Sequence, residues 1–179
     1  MVVAYRESGN VLLDQLFGAQ IHRFPVGEDD VAADAQLDRF ANELRAAGRN
    51  PYVIHLGLGH PPLGALGYME AAREILEQQH TEQLQIDEII VASGSGQTHA
   101  GLLYGLRTRG SDLPVIGICV RRDQRTQLLR IQDHVSGLDA LPSQADVVCP
   151  ADIVLVPHFL RPSHGVSNRH SETSIFQTA

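Results

Sequence analysis

The residues best suited to hold a ligand lie in one run, Ile89-Ile90-Val91-Ala92 followed by Ser93-Gly94-Ser95-Gly96-Gln97-Thr98-His99. An apolar, β-branched strand ends there in a loop of small residues that turns straight into a helix. Successive backbone N–H groups at the positive end of a helix dipole favour a phosphate. Glycine lets the backbone approach the anion, and Ser93, Ser95 and Thr98 add hydroxyl donors. Ser93, Gly94, Ser95, Gly96, Gln97 and Thr98 are therefore the expected binding residues; a tight strand–helix turn without a ligand is the alternative. The run is not a Gly-Lys-Ser/Thr loop, and its Gly-x-Gly lacks the third glycine of a dinucleotide fingerprint.

A second glycine-rich turn, Leu56-Gly57-Leu58-Gly59-His60-Pro61-Pro62-Leu63-Gly64-Ala65-Leu66-Gly67-Tyr68, also follows a strand and precedes a helix. Open parallel sheets bind ligands on that edge, so the two turns are expected to face a common crevice. For an enzyme acting there on a phosphorylated or carboxylate substrate, His60 or His99 would be the acid–base group. His99 reads either as a donor to the ligand or as a residue of the helix surface. His55 and His60 lack a cysteine or carboxylate to complete a metal set and read as satisfied structural histidines. His158, His164 and His170 match no ligand spacing, and Gly94-Ser95-Gly96 is not a nucleophile elbow. No catalytic residue and no metal ligand is assigned.

Composition narrows the chemistry further. The 179 residues suit one domain or two small βα modules, and all fourteen Lys+Arg positions are arginine. A chain without lysine cannot form a Schiff base through a lysine side chain. A net charge of −7 argues against nucleic acid as a partner. Arg121, Arg122, Arg125 and Arg130 form a local basic cluster that reads as a solvated helix face. The longest apolar runs are of strand length and the N-terminus lacks the order of a signal peptide, so neither a membrane span nor export is expected and the location expected is cytoplasmic. Cys119 and Cys149 sit in or beside apolar runs and read as buried free thiols.

The elements that must position these residues alternate in type. Strands are predicted at Val2–Tyr5, Gln20–Phe24, Tyr52–Leu56, Asp87–Ala92, Pro114–Val120 and Ala151–Val156. Helices are predicted from Val11 to Phe17, Asp29 to Gly48, Leu66 to Gln79, the Thr98 region to Arg107, and Arg122 to Val135. That alternation means right-handed βαβ crossovers and a parallel sheet. The expected fold is α/β, with Rossmann-like parallel βαβ units in a three-layer αβα arrangement of about six strands. Residues 1–84 form a first βα module, 85–157 a second that carries the loop, and 158–179 an irregular tail.

Four segments carry a family resemblance: Ser8-Gly9-Asn10-Val11-Leu12-Leu13-Asp14, Pro51-Tyr52-Val53-Ile54, Leu63-Gly64-Ala65-Leu66-Gly67-Tyr68, and Val91 to Gly101. Together they resemble the D-cysteine desulfhydrase and 1-aminocyclopropane-1-carboxylate deaminase family, pyridoxal-phosphate enzymes of the tryptophan-synthase-β type. The resemblance implies that Ser93, Gly94, Ser95, Gly96, Gln97 and Thr98 hold the cofactor phosphate. Gln97 stands where the family has the second glycine of a Gly-Gly pair, which weakens the site if that position needs positive φ. The resemblance also implies that the lysine segment lies upstream of Met1 and the strands that receive the pyridine nitrogen lie downstream of Ala179. The chain thus reads as a truncated middle fragment, inactive alone, with no covalently bound cofactor and with noncovalent phosphate or pyridoxal phosphate as its ligand. Edges and helix faces left bare by truncation are expected to be covered in a homodimer, or by merger of all six strands into one sheet. A desulfhydrase-like lyase completed by a partner chain is the further alternative.

Overall fold

The computed structural model describes residues 9–23, 30–55, 57–141 and 147–157. The chain divides into two compact units, 1–57 and 58–179.

The first unit contains α1 (Gly9–Leu16) and α2 (Asp30–Ala46). Asp30 in the first turn of α2 and Arg45 in its last suit the helix dipole. Two carboxylates on α2 fasten the segment that follows: buried Asp34 accepts from the Gly57 N–H at 2.7 Å, and Asp38 pairs with His55 Nε2 at 2.8 Å. His55 is thus a satisfied structural histidine, as its surroundings in sequence suggest. The strands predicted at Gln20–Phe24 and Tyr52–Leu56 do not form over their described residues, 20–23 and 52–55. Tyr52 and Ile54 are 80% and 70% exposed. Alternating apolar residues supply strand propensity, but a strand exists only against a neighbour that completes its ladder. The strand predicted at Val2–Tyr5 lies outside the described residues.

The second unit is a βαβ array. Its elements are α3 (Leu63–Thr81), β1 (Ile89–Ser93), α4 (Gln97–Arg107), β2 (Val115–Cys119), α5 (Gln124–Asp139), a 3₁₀ turn (Pro150–Asp152) and β3 (Val154–Val156). The three strands are parallel in the order β1-β2-β3, with Ile89 opposite Val115 and Ile116 opposite Val154. The fold is α/β with a parallel sheet, as the alternation requires, but three strands form among the described residues where about six were expected. Two right-handed crossovers in sequential order put α4 and α5 on the same face of the sheet. Burial agrees: Val115, Gly117 and Cys119 of β2 are buried, whereas Ile116 and Ile118 are only half-buried. On the other face Ile90 remains 61% exposed.

The core lies between helices and sheet, where Leu103, Tyr104, Leu106, Val115, Ile131 and Leu138 are fully enclosed. α3 packs closely on α4 because Gly101 and Gly105 present no side chain. A Cβ on Gly101 would collide with the Ala65 carbonyl, and one on Gly105 with the Met69 backbone and Ala72. That packing joins α3 to the second unit, so the division falls at Gly57 and not at the 84/85 boundary drawn from the sequence. Arg107 closes the end of α4: Nε donates to Asp152 Oδ1 at 3.0 Å and Nη1 to the Ser111 carbonyl at 2.7 Å. Burial pushes the Asp152 carboxyl up, but hydrogen bonds from Cys149 and the Arg107 guanidinium outweigh it and hold the group below its ordinary value. Cys119 is buried, but Cys149 is exposed, contrary to the reading of both as buried; it precedes a surface 3₁₀ turn, not a covered strand. The predicted tail, 158–179, lies outside the described residues.

Candidate functional site

The loop between β1 and α4 is held from below by one face of α5. Gln127, Arg130, Ile131 and His134 recur at helical spacing, and all four are buried. Gln127 Nε2 donates to Ser93 Oγ at 2.9 Å. Arg130 Nε donates to the Ser95 carbonyl at 2.6 Å, and His134 Nε2 donates to the same oxygen at 3.0 Å. Arg122, just before α5, donates from Nη1 to the Gly94 carbonyl at 2.8 Å.

These bonds fix the orientation of the loop peptides. In a trans peptide the C=O and the following N–H point in opposite directions. With the Gly94 and Ser95 carbonyls drawn toward Arg122 and α5, the Ser95 and Gly96 N–H groups turn the other way. The next N–H groups, of Gln97, Thr98 and His99, open α4 and have no partner within the helix. Gly96 is the N-cap at φ 95, with no side-chain cap. A run of outward N–H groups at a helix N-terminus suits a tetrahedral oxyanion.

Gln97 does not occupy the strained position of the loop. The left-handed position is Gly96, which remains glycine, while Gln97 adopts no positive φ among the described residues. Substitution at Gly96 would also press a Cβ against Ile131 and His134. The Gln97 side chain reaches the second glycine-rich turn, where its Oε1 occupies the space a Cβ on Gly64 would need. Pro62 of that turn is buried against Gly137 of α5. The two turns therefore meet through Gly64 and Gln97, although no strand forms over the described residues before the second turn.

His99 is neither a ligand donor nor a surface residue. It is fully buried, and its imidazole lies where Gly117 of β2 has no Cβ, 3.4 Å from Ser93 Oγ through Nδ1. Burial pushes its pKa down to about 4, with the Val115 backbone acting weakly in the opposite direction. Burial likewise lowers the His134 pKa; the Ser95 carbonyl opposes this, and the Arg130 and Arg122 charges add to it. Since His134 Nε2 must carry a proton to donate to Ser95, its buried Nδ1 is the unprotonated nitrogen, and it has no partner. His60 is half-buried in the second turn. No group of three metal-ligating side chains converges among the described residues.

The role of α5 is not apparent from the basic cluster alone. Arg122 and Arg130 are not a solvated helix face: Arg130 is buried, and both bind loop carbonyls. The signal that could have found them is the i, i+3, i+7 spacing of Gln127, Arg130 and His134, which places three polar residues on the same stripe as Ile131.

Residues 1–148 match the protein family described as "Pyridoxal-phosphate dependent enzyme". The chain belongs to that family. It is 39% identical over 167 residues to the D-cysteine desulfhydrase of Salmonella paratyphi A and 38% identical to that of Salmonella typhi. Each match covers 92% of this chain and 48% of the relative, so the chain spans about half the length of the curated relatives it matches. A solved structure titled as an ACC deaminase homologue superposes with a TM-score of 0.71 at 30% identity, covering 87% of this chain and 46% of that one. Family membership and the parallel α/β fold thus agree with the resemblance carried by the four sequence segments.

Proposed function

We propose that this chain binds a phosphate-bearing small molecule, pyridoxal phosphate foremost, noncovalently at Ser93, Gly94, Ser95, Gly96, Gln97 and Thr98. The observation that supports this most is the inward capture of the Gly94 and Ser95 carbonyls by Arg122, Arg130 and His134, which turns the loop N–H groups outward. The loop fits the phosphate end of the cofactor: the one strained position is glycine, and the guanidiniums behind the loop add positive charge. The aldehyde end finds no lysine, because the sequence contains none. Pyridoxal phosphate, when bound, supplies an electron sink for amino-acid chemistry. The residues of this chain orient and retain its phosphate; they do not anchor its reactive carbon. On this reading the chain alone does not turn over D-cysteine, and no catalytic residue is assigned. The burial of His99 removes it as an acid–base group for a bound substrate.

Titration of the full chain with inorganic phosphate and with pyridoxal phosphate, followed by calorimetry and visible absorption, tests this. Both ligands are expected to compete for one site, with no absorption band of a covalent lysine adduct. Ser95→Ala combined with Thr98→Ala should weaken both by about 10-fold or more. Binding unchanged in that double variant would refute the site.

A second reading rests on the identity to D-cysteine desulfhydrases over half their length: a separate chain supplies the lysine and completes a lyase. Hydrogen sulfide release from D-cysteine only on mixing with a lysine-bearing partner would support it; no release with any such partner would exclude it. On either reading the chain works in the cytoplasm, where the free thiols of Cys119 and Cys149 persist. No helix among the described residues is long and apolar enough to cross a membrane.

A further inference from the structure

One group beneath the loop does more than orient it. Arg130 Nε already holds the Ser95 carbonyl at 2.6 Å, and His134 Nε2 adds a second bond to the same oxygen at 3.0 Å. The second bond comes with a penalty, because the ring is 2% exposed and its Nδ1 has no hydrogen-bond partner. A buried nitrogen left without a partner costs its full desolvation. A side chain that served only to hold a carbonyl would carry no such nitrogen. The imidazole also lies directly against the end of the loop that opens α4: a Cβ on Gly96, the N-cap, would meet its Cδ2 at 3.1 Å.

The charges around the ring set its protonation. On its own helix Arg130 opposes a positive charge there and exposed Asp133 favours one, while Arg122, ahead of α5, opposes it. The loop presents the Ser95 carbonyl, already bonded to Nε2. From α4 the ionisable group is His99, which is turned toward Ser93 and Gly117. The second turn packs on α5 through Pro62 against Gly137, which brings no charge. Burial first, and then the two arginines, depress the pKa of the ring, so at pH 7 the empty loop stands over a neutral imidazole. A tetrahedral dianion on the outward N–H groups reverses that balance. It offsets the arginine charges and attracts a further cation through a region shielded from water.

We infer that anion binding at this loop is coupled to protonation of His134 at Nδ1, so that the site takes up a proton with its ligand and binds more tightly as pH falls toward 6. The coupling rests on the binding reading above. The proton comes from solvent and adds to the lone pair of Nδ1. Nε2 keeps its own proton and its bond to the Ser95 carbonyl, and one positive charge is gained behind the loop. Linkage makes the effect reciprocal: the anion raises the affinity of the ring for a proton by the same factor. Well above the ordinary histidine value of 6.5 the ring is neutral with or without ligand, and the coupling vanishes.

Inorganic sulfate is the probe, because it stays a dianion throughout this range, whereas a phosphate monoester itself gains a proton at about pH 6. Calorimetry of the full chain with sodium sulfate at pH 7.5 and pH 6.0, each in two buffers of different ionisation enthalpy, tests the coupling. Binding is expected to be about 3-fold tighter at pH 6.0, with proton uptake read from the buffer dependence. His134→Gln keeps a donor for the Ser95 carbonyl but does not titrate. It should lose both the gain and the uptake, whatever its absolute affinity, and His99 is present in both proteins. In the wild type the titration midpoint of the His134 ring, followed by NMR, should rise when sulfate saturates the site. A midpoint that stays put with sulfate bound, or a gain retained by His134→Gln, would overturn the coupling and leave the binding reading standing. Absence of sulfate binding at both pH values would overturn the coupling, and if phosphate binding were absent too, the binding reading would fall with it.

Discussion

The burial of His99 predicts a specific acid sensitivity. In the unfolded chain this imidazole titrates at its ordinary value of 6.5, and in the folded protein burial lowers that to about 4. The folded state therefore takes up the proton less readily than the unfolded state, and stability falls as pH drops from about 6.5 toward 4. Above 6.5 both states are neutral at this site and the loss is absent. Between pH 7 and pH 5 the depressed pKa removes about 2 kcal/mol, a large share of the stability of a small domain. His134 adds a loss of the same sign, since its pKa is also lowered. Carboxylates held below their ordinary values, Glu70, Asp123 and Asp152, lose their contributions only at lower pH. Urea unfolding at pH 7, 6 and 5 separates these effects. The wild type should lose about 2 kcal/mol more over that interval than His99→Gln, which keeps a polar side chain beside Ser93 but does not titrate. An equal loss in the two proteins would refute the reasoning, because it would mean that the buried imidazole is hydrated or protonated in the folded state.

Three other outcomes follow from particular contacts. Gly101→Ala should destabilise the second unit by about 2 kcal/mol in thermal or urea unfolding, since a Cβ there meets the Ala65 carbonyl and α3 must shift. Gln127→Met should cost less than about 1 kcal/mol: it gives up the bond to Ser93 Oγ, but it also removes a buried Oε1 that has no partner. A loss beyond about 3 kcal/mol would contradict that balance. Arg130→Met should weaken phosphate binding about 10-fold by releasing the Ser95 carbonyl, with partial recovery in Arg130→Lys, as measured by calorimetry.

The sequence alone determined the local features of the second unit and its family. Ile89–Ser93 and Val115–Cys119 form where β-branched apolar runs end at small or polar residues, and α4 begins directly after the Ser-Gly-Ser-Gly run. The absence of lysine is a property of composition, and it limits what the chain can do with pyridoxal phosphate whatever the fold. Tertiary structure decided whatever depended on a partner distant in sequence. Segments 20–23 and 52–55 have strand-like patterns, but without a ladder neighbour among the described residues they form no strand. His99 looks like a surface residue in the first turn of a helix, yet the missing Cβ of Gly117, eighteen residues on in the sequence, makes room for it in the core. Arg122 and Arg130 look like solvated charges until the fold brings them beneath carbonyls some 30 residues earlier. A hydrogen bond or a packed ring needs both members, and only the fold says where the second one is.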